Sequence, residues 1–202
     1  MSNLLSKIKW LGHAGFKIIS EKIIYIDPYE IKDIEKADLI LITHEHYDHC
    51  SPDDIKKIKK DSTVIVTIKS AADKLSGNIK IVTPGSEIEV EGIKIKAVPS
   101  YNINKQFHPK STGKVGFIVN IEGESVYHAG DTDFIPEMND IHADIALLPV
   151  SGTYVMNPEE AVHAAEVIKP KYVIPMHYGS IVGSNADGET FKKLYSGETV
   201  IL

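Results

Sequence analysis

The first half of the chain alternates short apolar runs with turn residues. KIKWL, FKII and KIIYI are three strand-length segments, the last ending at Asp27-Pro28. ADLILIT is almost continuously apolar, the pattern of a strand covered on both faces. Ser51-Pro52-Asp53-Asp54 then opens a helix, with Ser51 as N-cap, Pro52 at the first helical position and two acids at the positive end of the dipole. TVIVTI predicts a second buried strand, SAADKL a short helix and NIKIV a strand. EIEV and IKIKAV alternate with period two around Glu91-Gly92, a hairpin with one wet face. Residues 99–113 have no period and predict a long loop, which in a compact domain points to function.

The second half repeats the scheme. VGFIVNI and SVYHA form a hairpin about Glu122-Gly123, and ADIALLPV echoes ADLILIT. NPEEAVHAAEVIK is an amphipathic helix capped by Asn157. KYVIPM, a helix around DGETFKKLY and a final strand ETVIL close the chain. Two sheets packed face to face with helices outside satisfy these faces. The 202 residues predict one domain, 1–202, built from two similar halves of about 1–112 and 113–202.

Composition narrows the function. The net charge is −6, and all 22 basic residues are lysines. Without the arginine fork that suits phosphate and guanine, a dedicated nucleic-acid binder is not expected. The Lys56-Lys57 and Lys59-Lys60 pairs alternate with Ile55 and Ile58, as on a solvated helix face. One cysteine, Cys50, excludes an internal disulfide. No run approaches the roughly 20 apolar residues of a membrane helix, and no signal peptide is read, so a cytoplasmic location and no membrane partner are expected.

The candidate chemistry lies in HEHYDH, residues 44–49, directly behind the ADLILIT strand. His44 and His46 are two apart, so in extended backbone their rings project to one side. After a bend, Asp48 and His49 reach a neighbouring position, which suggests a two-metal site. Imidazole and carboxylate donors suit zinc, with manganese, iron and nickel as alternatives. The helical H-E-x-x-H zinc motif does not fit, because His44 and His49 are five apart.

His44-x-His46-x-Asp48-His49 behind an apolar strand resembles the signature of the metallo-β-lactamase fold superfamily. WLGHAGFKI, YIDP, YHAGDTD and IPMHYG follow the same order along the chain, and the opening resembles small metal-dependent hydrolases related to ascorbate-6-phosphate lactonase. The resemblance implies an α/β (α+β) fold, a four-layer αββα sandwich of two mixed β-sheets with the site at one edge. It implies that His44 and His46 hold one metal, that Asp48, His49 and His177 hold a second, and that Asp131 bridges both. An Asx-turn is the alternative for Asp131. The family's third histidine on the first metal is missing at Pro99-Ser100-Tyr101-Asn102. Either His108 folds back from the long loop to replace it, or His108 simply precedes Pro109 in that loop.

Further residues carry two readings each. His128 either orients Asp131 or a substrate, or is a satisfied core histidine. Asp27 either accepts from a ligand imidazole or the 44–49 backbone, or initiates the turn at Pro28. His13, between Gly12 and Gly15, lies where backbone or ligand approaches closely. Tyr101, Asn102, Lys105 and Tyr178 are candidates for touching substrate. Lys105 and Lys110 would attract an anionic small molecule if they are not merely solvated. The implied reaction is hydrolysis of an ester, lactone or phosphodiester by a metal-activated hydroxide, with Asp48 and Asp131 as catalytic carboxylates. A sugar-phosphate lactone is the substrate the subgroup suggests. A di-iron redox protein and a non-catalytic metal-binding domain are the rivals, and a homo-oligomer is compatible with all of them.

Overall fold

A computed structural model describes residues 3–32 and 34–202. The first sheet takes its strands in chain order: β1 (Ile8–Gly12), β2 (Gly15–Ile19), β3 (Ile23–Ile26), β4 (Leu39–Ile42), β5 (Val64–Thr67) and β6 (Asn78–Ile81). The β1–β2–β3 pairs are antiparallel and the β3–β4–β5–β6 pairs parallel. The second sheet contains β7 (Glu87–Val90), β8 (Ile93–Pro99), β9 (Val115–Ile121), β10 (Glu124–His128), β11 (Ile145–Pro149) and β12 (Tyr172–Met176). Its strands are antiparallel from β7 to β10 and parallel from β10 to β12. Both sheets are therefore mixed, and buried residues from both join one apolar core.

Burial follows the sequence pattern. All four residues of β4 and of β5 are buried, as expected for parallel strands covered on both faces. In β8 buried and exposed positions alternate from Ile93 to Ala97, leaving Lys94 and Lys96 in solvent. Helix α1 (Pro52–Ile58) begins where Ser51 Oγ accepts from the Asp54 amide. Two further helices, α2 (Lys69–Ala72) and α3 (Pro158–Ile168), precede α4 (Asn185–Leu194). Asn157 and Glu160 form a reciprocal cap at the start of α3.

Two expectations change. The chain crosses between sheets after β6, between Ile81 and Glu87, so the halves do not divide at 112. The β7–β8 hairpin pairs with β9 through the Val98–Gly116 and Pro99–Val115 registers, and the long loop between them sits inside the second sheet's connectivity. The final ETVIL segment makes only an isolated bridge, Val173 to Thr199.

Candidate metal centre

Strand β4 delivers the chain to the sheet edge at Thr43. There Asp27, at the end of β3, holds the loop in place. It accepts from the Thr43 amide at 2.8 Å, from Thr43 Oγ1 at 2.6 Å, and faces His49 Nδ1 at 2.8 Å. Asp27 adopts φ +44°, the conformation that turns its carboxylate back under the loop it anchors. The His49 and Cys50 amides both donate to the His46 carbonyl, which makes the bend separating the first two histidines from Asp48 and His49.

Asp131 follows Gly130 in the second sheet's edge loop. Gly130 has φ +65°, and a Cβ there would lie 3.0 Å from the Val115 carbonyl. Its amide donates to His128 Nδ1, while His128 Nε2 donates to the Ala14 carbonyl at 2.8 Å. His128 thus joins the two sheets beneath the loop that carries Asp131.

Two groups of donors converge on this carboxylate. His44, His46, His108 and Asp131 form one, and His13, Asp48, His49 and His177 the other; in each, one donor atom per residue lies within 4.8 Å of the rest. Asp131 Oδ1 is 3.2 Å from both His49 Nε2 and His177 Nε2, whereas Oδ2 is 3.3 Å from His108 Nε2 and 3.9 Å from His44 Nε2. One oxygen faces each group. His46 turns Nδ1 inward, 3.2 Å from His108 Nε2.

These residues fit divalent metal ions. Bonds of about 2.0–2.2 Å at tetrahedral to octahedral angles place neighbouring donors roughly 2.9–3.5 Å apart. His44 Nε2, His49 Nε2, His177 Nε2 and Asp131 Oδ1 are buried without a hydrogen-bond partner. Such groups are costly unless something else satisfies them.

Four of these rings are also gripped from behind, at Nδ1. His44 meets Thr43 Oγ1 at 3.0 Å, His49 meets Asp27, His108 meets Asn102 Oδ1 at 3.0 Å and His177 meets Ser151 Oγ at 3.2 Å. This leaves Nε2 of each facing the centre. His13, with φ +51°, points Nε2 at Asp48 Oδ2 across 2.9 Å, and its carbonyl accepts from the His177 amide and Trp10 Nε1.

Electrostatics agree with this geometry. Burial pushes the His44 pKa well below the ordinary histidine value and that of His108 down to about 4. Burial also opposes charge on His49, but Asp131 and Asp27 outweigh it and hold the imidazole well above its usual range. For Asp48, burial is outweighed by the His13 hydrogen bond and the His49 charge, which bring the carboxyl down to about 2. Burial raises the Cys50 thiol to about 11, which leaves it no nucleophilic role.

The structure brings His44, His46, Asp48, His49, His108, Asp131 and His177 together. Asn102 is buried behind His108 and holds its ring. Tyr101 does not reach a substrate position, because its hydroxyl donates to Glu137. Tyr178 is buried with its ring 5.1 Å from Trp10, away from the opening. Lys105 is bound to Asp133 at 2.6 Å and Lys110 to Glu137 at 2.7 Å. Sequence reasoning left out Ser151, Thr43 and the aromatic residues at the site's mouth, because an isolated serine, threonine or loop aromatic carries no spacing signal. It noted His13 from the flanking glycines but did not foresee its contact with Asp48.

A beta-lactamase superfamily domain model matches residues 7–177. The chain belongs to the beta-lactamase superfamily. A UPF0173 metal-dependent hydrolase of Thermococcus onnurineus is 36% identical over 214 residues, covering 97% of this chain and 95% of the relative. One from Thermoplasma acidophilum is 39% identical over 213 residues, covering 96% and 92%. A Parabacteroides distasonis structure described as a metal-dependent hydrolase superposes with a TM-score of 0.87 at 35% identity, covering 96% of this chain and 91% of that one. Among the described residues of this superfamily member, no helix is long and apolar enough to cross a membrane.

Proposed function

We propose that this metal-dependent hydrolase cleaves an ester, lactone or phosphodiester at a site holding two divalent cations. His44, His46 and His108 would bind one, Asp48, His49 and His177 the other, and Asp131 both. The reading is carried by Asp131, whose two oxygens face separate histidine sets while the buried Nε2 atoms of His44, His49 and His177 around it lack partners. Nitrogen-rich donor sets favour zinc, with manganese, nickel and iron as alternatives.

When bound, such cations lower the pKa of water towards neutrality and polarise a carbonyl or phosphoryl oxygen. The protein's part is to orient and to exclude. Thr43, Asp27, Asn102 and Ser151 fix the rings of His44, His49, His108 and His177. Asp48, ionised down to about pH 2, serves as a ligand; so low a pKa makes it a weak proton acceptor at neutral pH. The cleft above, of about 530 Å³, admits a small molecule.

The test is metal analysis of stripped protein reloaded with zinc, manganese or nickel, paired with hydrolysis of esters, lactones and phosphodiesters. Two ions per chain and metal-dependent turnover are expected. An Asp131→Asn protein that still binds two ions and turns over at the parent rate would overturn the bridging assignment. Hydrolysis by the stripped protein would overturn the reading as a whole.

A further inference from the structure

The mouth of the cleft differs from the rest of the surface. Among the described residues, three aromatic side chains stand out as large exposed hydrophobic groups: Tyr47, Phe107 and Tyr154, at 62%, 55% and 38% exposure. All three line this cleft, as do Ile181 and Val182. They come from three separate loops, after β4, β8 and β11, with the two aliphatics on a fourth after β12. Single exposed apolar residues are ordinary; this concentration around one opening marks a binding surface.

The wall is built rigidly. Phe107 packs edge-on against Tyr154, ring centroids 4.3 Å apart. Tyr154 is held at φ +67°, a conformation rare for a bulky residue, and its carbonyl accepts from Asn102 Nδ2 at 2.8 Å. The same Asn102 grips His108 through its oxygen. One buried amide therefore sets both a metal donor and the aromatic wall, fixing their separation before any substrate arrives.

The cations nearby are otherwise engaged. Lys105 and Lys110 are bound to Asp133 and Glu137, and buried Lys114 to Glu45 at 2.5 Å. Lys74 lines the cleft, with its ammonium held against the Glu45 carbonyl at 2.6 Å. The chain contains no arginine to fork a phosphate. Beyond the cations proposed at Asp131, a sugar phosphate would meet aromatic rings with a single tethered lysine in reach.

Resting on the hydrolase reading above, we propose that the substrate is an uncharged ester or lactone whose non-reacting end is aromatic or aliphatic. That end packs on Phe107, Tyr154 and Tyr47 while the scissile group lies over Asp131. The wall sets specificity and takes no part in bond cleavage.

The test is a calorimetric titration of zinc-loaded protein with phenylacetate, acetate and glycerol phosphate. The two carboxylates share a charged group and differ in the ring, so their ratio reports the wall. Phenylacetate is expected to bind at least about tenfold more tightly than acetate, the gain usual for an apolar group entering a matching pocket. Phe107→Ser, at an exposed position, should shrink that ratio to within about twofold with acetate affinity unchanged. Equal affinities, tighter binding of glycerol phosphate than phenylacetate, or a ratio that survives both Phe107→Ser and Tyr47→Ser would overturn the proposal. Metal content of the same sample separates the two readings. Failure to hold two cations counts against the hydrolase, and a lost phenylacetate preference in fully loaded protein counts against the wall.

Discussion

Replacing His13 by Asn probes whether Asp48 must be held to bind metal. Asparagine tolerates the left-handed backbone that His13 adopts at φ +51°. It also keeps the carbonyl that accepts from the His177 amide and Trp10 Nε1, so only the imidazole is lost. The imidazole makes the 2.9 Å hydrogen bond to Asp48 Oδ2, and its ring packs 4.0 Å from that of His177. Asp48 sits near pH 2 instead of 3.8, a fall worth roughly 2–3 kcal/mol. The His13 hydrogen bond is the largest of the lowering causes, acting with the His49 charge against burial and Asp131, and a hydrogen bond to a charged group is ordinarily worth about 1.5–3 kcal/mol. Passed to the metal through a freed carboxylate, the lower end of that range predicts about tenfold weaker binding of the second ion, within the range for lost outer contacts. The sign with pH follows from the depressed carboxyl. Its stabilisation is full above the unfolded pKa of about 4 and lost as pH falls through about 2, so the variant's deficit should shrink in acid. Competition with a chromophoric chelator at neutral pH reads both ions. His13→Gln, whose longer side chain carries the amide donor closer to where the imidazole Nε2 reached Asp48, should recover part of the loss. Second-ion affinity within twofold of the parent in His13→Asn, with unchanged thermal stability, would refute the reasoning.

His108→Ala should lower bound metal towards one per chain, measured by elemental analysis, because it removes the donor 3.3 Å from Asp131 Oδ2. Unchanged metal content and activity would show that the long loop does not supply a ligand. Asp27→Ala removes the acceptor for the Thr43 amide, Thr43 Oγ1 and His49 Nδ1 together. A loss of about 3–5 kcal/mol in metal-free stability is expected by denaturant unfolding, since buried partners are left unpaired. His49 is held protonated in the metal-free protein, and ligands bind metal only when deprotonated. Zinc titration near neutral pH in buffers of different ionisation enthalpy should therefore show about one proton released per chain, and affinity should fall as pH drops. A heat independent of buffer would contradict this.

The fold was legible because its signals are local. Four buried residues in β4 and four in β5 read as parallel strands from composition alone. Ser51 and Asn157 marked helix starts through caps that the structure retains. What sequence could not place was long-range. The chain changes sheets at an ordinary turn before Glu87, while the conspicuous aperiodic loop at 99–113 marks the site instead of the boundary between halves. ETVIL has strand composition, but only Thr199 finds a bridging partner.

The site divides along the same line, and the division has a physical cause. HEHYDH is compact because one sheet edge supplies four candidate donors from six residues, and that density is visible in any reading of the chain. His108 and His13 reach the same centre from 62 and 35 residues away from His46 and Asp48 respectively. Nothing in their spacing announces it. Each is instead placed by a neighbour whose job is conformational: Asn102 fixes the His108 ring, and the strained backbone at His13 turns its imidazole inward. Site residues delivered by a strand end can be found from periodicity, whereas those delivered by a loop depend on buried hydrogen bonds that only the folded chain assembles. Asn102 carries this furthest. Its amide group contacts His108, Asp133 and Tyr154 at once, so a single side chain links the candidate metal centre to the aromatic residues that line the cleft above it. A change there should disturb metal affinity and substrate preference together, whereas Phe107→Ser should disturb preference alone.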